Sequence, residues 1–164
     1  MLGLVPVEGK IASGLFQNRD FSPHVAPRTI LNGPVSGARR VATDTWELER
    51  LTRVAKSSGT TLNDVVLAMC SGALRAYLLE LGALPDDAMT AMCPVSLALR
   101  AEAAGVTSNK EGGNNVGVIV VNLATNEAHG GKRLQAIYES SSKAKAVLRD
   151  LSPLQIMALS AAQM

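Results

Sequence analysis

GTTLNDVVLAMCSGALRAYLLELG, residues Gly59 to Gly82, is the stretch whose reading decides the fold. Thr61 is placed to cap a helix, and Asp64 three positions on completes a capping-box pattern. Behind this polar start, Leu62, Val65, Val66, Met69, Ala73, Ala76 and Tyr77 trace one apolar face. Leu67, Cys70, Leu74, Leu78 and Leu81 trace a second. Only Ser71, Arg75 and Glu80 interrupt, so the spacing predicts a helix buried on nearly all sides. Gly82 and Pro85 end it. The pair Asn63-Asp64 at its head raises the question of chemistry. An acid in the first turn favours the helix dipole, and Asn and Thr satisfy free amides, so local physics reads the pair as capping or interface ordering. A carboxylate here could also orient a base reached from elsewhere in the fold.

Upstream, Ala38–Thr43 (ARRVAT) is β-compatible, and Asp44 with Glu47 fits a second capping box. Leu48, Leu51, Val54 and Ala55 then recur inward at helical spacing, opposite Glu49, Arg50, Arg53 and Lys56, until Gly59 closes an amphipathic surface helix. Residues 1–33, broken by Pro6, Gly14, Pro23, Pro27 and Gly33, read as an irregular lead-in to a domain over 34–164. Downstream, Met89–Leu97 is a short strand in which Pro94 marks an end or an edge. Arg100–Asn115 is a polar loop. Val116–Thr125 (VGVIVVNLAT) is the strongest strand, apolar and β-branched, hence central and buried. Lys132–Arg149 is helical with Leu134, Ile137, Ala144 and Leu148 inward, and a further helix starts after Pro153. The order β-α-α-β-β-α-α describes an α/β sandwich with few strands for its helices. It reads as part of something larger.

Composition narrows the classes. The 164 residues are 47% hydrophobic and 18% charged, which excludes a disordered chain. Sixteen basic against fourteen acidic residues leave a charge of +2, too little to argue for nucleic acid. Cys70 and Cys93 sit in apolar segments without a CxxC or histidine neighbour and read as buried small hydrophobes, not as a disulfide framework or metal site. The N-terminus lacks the pattern of a signal peptide, and no uninterrupted run approaches the ~18 apolar residues of a membrane span. These features predict a reduced, cytoplasmic chain, with peripheral membrane contact left open.

Catalytic constellations fail in turn. His24 and His129 have no acid at a useful short spacing and read as solvated loop side chains. No serine lies in a GxSxG elbow. EGGNNVG runs into a strand and lacks the lysine of a phosphate loop.

The blocks resemble a known family when taken together. Asn63–Ala68 (NDVVLA) and its surroundings are similar to the second diagnostic block of the bacterial wax ester synthase/diacylglycerol acyltransferases. LNGPVSGARRVAT, AMCPVSLALR and GGNNVGVIVVNLAT resemble the segments around it, so the likeness covers about residues 28 to 150. The resemblance implies the chloramphenicol-acetyltransferase-like, condensation-domain fold: a partial two-layer α/β sandwich with a mixed sheet and packed helices. It further implies acyl transfer from acyl-CoA to diacylglycerol or a long-chain alcohol, with acyl-CoA as co-substrate and no other cofactor. A peripheral membrane or lipid-droplet contact would go with such an acceptor. The family's general base is the second histidine of an HHxxxDG motif, and no such motif occurs in these residues. No catalytic residue is therefore carried over. Asn63 and Asp64 match the family motif and are expected to support the site, while the substrate-binding residues stay unassigned. Three readings follow: a fragment or split subunit completed by a separate chain carrying HHxxxDG, a non-catalytic remnant that binds acyl-CoA, lipid or a partner, and a truncated product.

Overall fold

The computed structural model describes residues 26–96 and 116–149, with the backbone alone at Arg149. After a 3-10 turn at Ile30–Asn32 come α1 (Leu48–Ser58), α2 (Leu62–Glu80), β1 (Thr90–Ser96), β2 (Val116–Asn122) and α3 (Gly130–Arg149). Among the described residues the sheet is one antiparallel pair, β1 with β2. The α/β class with packed helices is the one expected. The segment before residue 26 with His24, the whole Arg100–Asn115 loop with its glycines, and the helix after Pro153 lie outside the described residues.

Local chemistry explains where α1 begins, and it is not where the spacing placed it. Asp44 does not cap the helix: its Oδ1 accepts the adjacent Thr45 N–H at 2.7 Å. The helix starts at Leu48, with Glu47 as N-cap and no side-chain cap bond. Nor is Ala38–Thr43 a strand. All six residues are exposed, and the Arg39 guanidinium turns back onto the Ser36 and Ala38 carbonyls instead of leaving the segment free for a ladder. The end of α1 is as expected. Gly59 takes φ +66°, a conformation open to glycine at little cost, and Thr60 N–H closes back onto the Ala55 carbonyl at 2.9 Å.

The second helix forms over the expected residues and stops as expected, with Gly82 at φ +61° and Ala83 N–H bonded to the Leu78 carbonyl at 2.8 Å. Its burial differs from the expectation. Only Asp64, Val65, Ser71 and Leu78 are buried, while Leu62, Val66 and Tyr77 are exposed. The described chain covers one flank of this helix, on which Asp64 and Ser71 lie beside Val65 and Leu78. By length and composition alone α2 could cross a membrane, a possibility the interrupted apolar run had argued against. Asp64, Ser71 and Arg75 are nevertheless all hydrogen-bonded within the folded chain.

The described residues divide into two compact units, one of residues 91–96, 116–121 and 141–149, the other of residues 26–90 and 122–140. In the first, Ile119, Val120, Val121, Ala144 and Leu148 are buried. The near-continuous burial along β2 is that of a strand covered on both faces. Pro94 is exposed, and β1 is an edge of the pair among the described residues, where a missing N–H is tolerated. In the second unit, Ala55, Val65 and Leu134 form a small core against which Leu51, Ala68 and Met69 pack. Leu48 and Val54, expected to point inward, are exposed; Leu51 and Ala55 pack α1 onto this core.

Candidate functional site

The head of α2 is built by its own sequence. Thr61 is extended, and its Oγ1 accepts the Asp64 N–H at 3.3 Å. The Asp64 carboxylate reciprocates: Oδ2 accepts the Thr61 N–H at 3.0 Å and the Thr61 hydroxyl. A carboxylate is buried at great cost unless hydrogen-bonded, and Asp64 is 0% exposed. The capping box helps to make that position tenable. Asn63, one residue earlier, lies at the surface. The two members of the motif therefore part company, Asp64 inside and Asn63 facing solvent.

The face that carries Asp64 continues with Ser71 and Arg75, the very residues that interrupt the apolar pattern. Ser71 Oγ donates to the Leu123 carbonyl and Arg75 Nη1 to the Thr125 carbonyl at 2.7 Å. Both acceptors belong to the connection from β2 to α3. The same connection is tied to residue 89, where Leu123 N–H donates to the Met89 carbonyl at 2.8 Å and Met89 N–H donates to Thr125 Oγ1 at 2.9 Å. Between these ties Ala124 adopts φ +47°, a left-handed conformation costing a non-glycine residue about 1–2 kcal/mol. Asn122 Oδ1 accepts the Ala124 N–H at 2.7 Å, and Glu127 N–H closes the turn onto the Ala124 carbonyl at 3.0 Å. Such strain persists only where neighbouring bonds over-determine it. Here they do, on both sides.

His129 ends this connection and starts α3. Its Nδ1 accepts the Lys132 N–H at 3.3 Å, and its own N–H donates to Glu127 Oε1 at 2.8 Å. That N–H holds the Glu127 carboxyl below its ordinary value; partial loss of water opposes the shift and the Lys132 charge assists it. The imidazole is exposed, as expected of a solvated side chain, and it also caps the start of α3. Arg133 follows, with Nη1 on the Glu127 carbonyl at 2.9 Å and a buried Nε that has no hydrogen-bond partner. Its guanidinium lies so close to Gly72 that a Cβ there would come within 3.1 Å of Nη2.

No cluster among the described residues has the three or more acidic, cysteine or histidine side chains that a metal ion needs. Neither cysteine is in a disulfide, and Cys70, expected inside, is exposed. An open depression of about 410 Å³ beside α1 is lined by Leu48, Glu49, Thr52, Arg53 and Lys56, charges that suit solvent better than an acyl chain. The tie between α2 and the β2–α3 connection is absent from the sequence reading. Its one visible signal was the two polar interruptions, Ser71 and Arg75, in an otherwise apolar helix.

Comparison with known proteins adds an independent line. Residues 2–66 match the family model described as the wax ester synthase/diacylglycerol acyltransferase catalytic domain. The probable diacylglycerol O-acyltransferase tgs2 of Mycobacterium tuberculosis is 43% identical over 165 residues, which cover 100% of this chain and 35% of that protein. A putative diacylglycerol O-acyltransferase of Mycobacterium bovis is 46% identical over 136 residues, 83% of this chain and 26% of that protein. Among solved structures, the wax ester synthase/diacylglycerol acyltransferase of Marinobacter aquaeolei VT8 superposes with a TM-score of 0.66 at 32% identity, over 96% of this chain and 32% of that one. The chain spans about a third of the length of these relatives.

Proposed function

Because the chain belongs to the wax ester synthase/diacylglycerol acyltransferase family, we propose that it forms part of an enzyme that transfers a fatty acyl group from acyl-CoA to diacylglycerol or a long-chain alcohol. The observation that carries this reading is identity of 43% along the whole chain with a probable diacylglycerol O-acyltransferase. In such a reaction the acceptor hydroxyl attacks the thioester carbonyl, a base takes the hydroxyl proton, and the tetrahedral adduct expels the CoA thiolate, which leaves as the thiol. Acyl-CoA is a co-substrate, and the chemistry calls for no further cofactor. A lipid acceptor fits a cytoplasmic protein working at a lipid surface.

Neither Asp64 nor His129 is placed to act as that base. Asp64 is buried and bonded to Thr61, and the His129 Nδ1 lone pair is occupied by the Lys132 N–H. In this reading the base comes from another part of a family-length polypeptide, as the absence of HHxxxDG from these residues also requires. A positioned general base contributes about 10²–10⁴ in rate, so the isolated chain turns over at close to the uncatalysed level. The test is to incubate the chain with labelled acyl-CoA and diacylglycerol or hexadecanol, alone and co-expressed with the portion of the Mycobacterium tuberculosis relative outside the matched residues. Ester formed only by the pair supports the reading; none from the pair counts against it. The occupied state of Asp64 and His129 also favours a second reading, a non-catalytic module. Acyl-CoA bound by the lone chain, without turnover in the pair, would establish it.

A further inference from the structure

Two arginines from two helices grip one short stretch of backbone. Arg75 of α2 donates from Nη1 to the Thr125 carbonyl at 2.7 Å, and Arg133 of α3 donates from Nη1 to the Glu127 carbonyl at 2.9 Å. Both residues are partly buried. Among the described residues neither guanidinium makes another bond, and neither is paired with an acid. Most of their N–H donors are therefore unspent, and one of these, Arg133 Nε, is fully buried without a partner. A desolvated cation with no acid beside it is unfavourable, and proteins pair such groups. The acid nearest in sequence does not pair with them. The Glu127 carboxylate accepts the His129 N–H at 2.8 Å, and the charges that act on it are those of Lys132 and His129.

Both guanidiniums come to the same part of α2. Gly72 and Arg75 are three residues apart and so neighbours on the helix surface, and a Cβ at Gly72 would stand 3.1 Å from Arg133 Nη2. Glycine at this position gives the second guanidinium its room. The carbonyl acceptors follow Ala124 at φ +47°, and the bonds that over-determine its conformation also fix the acceptors. We propose that Arg75 and Arg133 form a binding site for a phosphate group. Guanidinium forks bind phosphate through paired N–H···O bonds, and a phosphate monoester, with a charge of about −1.5 to −2 at neutral pH, balances two arginines where a carboxylate balances one. Acyl-CoA is one source of such a group, since CoA carries a diphosphate and a ribose phosphate; a free phosphate compound is the other. Attribution to CoA rests on the function proposed above, whereas the site rests on the arginines.

The direct readout is the Arg133 Nε–Hε resonance of the nitrogen-labelled chain, assigned by its loss in Arg133→Lys. Pyrophosphate, CoA and pantetheine are titrated in turn at fixed ionic strength. Pyrophosphate or CoA is expected to shift this resonance and slow its exchange with water, whereas pantetheine, which has no phosphate, leaves it unmoved. Arg75→Lys and Arg133→Lys keep the charge but lose the fork, and each weakens binding about tenfold or more at unchanged helix content. Lys56→Gln, on α1, leaves binding within about twofold. A response to CoA identifies the coenzyme as the source, and a response to pyrophosphate alone identifies a free phosphate compound. A resonance unmoved in the parent chain by every phosphate compound overturns the site, whatever the variants do. So does equal weakening by Lys56→Gln, which means attraction to net charge alone. Acyl transfer is measured separately, with the chain co-expressed with the rest of the Mycobacterium tuberculosis relative. Phosphate binding without ester from that pair leaves the site standing and counts against acyl transfer; ester with an unmoved resonance overturns the site alone.

Discussion

At the scale of single residues, the Asn63-Asp64 pair separates into two roles with different signatures. Asp64→Ala removes one half of the capping box and leaves the Thr61 N–H without its acceptor, so a loss of about 1–2 kcal/mol is expected in urea denaturation of the chain. Asn63→Ala touches an exposed side chain and should stay within about 0.5 kcal/mol of the parent. A fall in acyl transfer caused by Asn63→Ala in a completed enzyme would then reflect contact at the site and not loss of fold. Glu127 gives a pH signature. Its carboxyl is held below the ordinary value of 4.5 in the folded state, chiefly by the His129 N–H, so its contribution favours folding above that value. The contribution is lost as the pH falls from there through the lower folded value. Denaturation of the parent and of Glu127→Gln should therefore differ near neutral pH and converge in acid; a gap that widened on acidification would refute the assignment.

At the scale of elements, the β2–α3 connection is held by bonds between residues far apart in sequence. Ser71→Ala leaves the buried Leu123 carbonyl without its donor, at a cost of about 1–3 kcal/mol, and frees the left-handed turn at Ala124. Hydrogen exchange of the Leu123 and Glu127 amides should quicken in that variant, while the Val65 amide inside α2 keeps its protection. Much of this level was legible in the sequence. The extent of α2, its Thr61–Asp64 cap, the glycines that end both helices, and the β2 strand all follow from short-range pattern. The failures also have physical causes. Asp44 and Glu47 carry the letters of a capping box, but Asp44 bonds to its neighbour Thr45, and spacing cannot tell those outcomes apart. Ala38–Thr43 has β-compatible residues and no ladder, which only tertiary structure reveals. The Ser71 and Arg75 ties reach across fifty or more positions, and no local rule anticipates them.

At the scale of the molecule, the uneven burial of α2 is the main consequence. Its apolar pattern reads as a fully buried helix, yet the described chain buries only Asp64, Val65, Ser71 and Leu78 of it. Pattern reports what a helix is built to meet, and the chain spans only about a third of the length of the relative it matches. The most direct measurement replaces the matched 165 residues of the Mycobacterium tuberculosis relative with this chain and assays acyl transfer from acyl-CoA to diacylglycerol. If the chain is a working part of an acyltransferase, the hybrid forms triacylglycerol at a rate within about tenfold of the parent relative, a barrier change of no more than about 1.4 kcal/mol. A hybrid that folds with the parent's helix content and binds acyl-CoA, yet forms no ester, would contradict it.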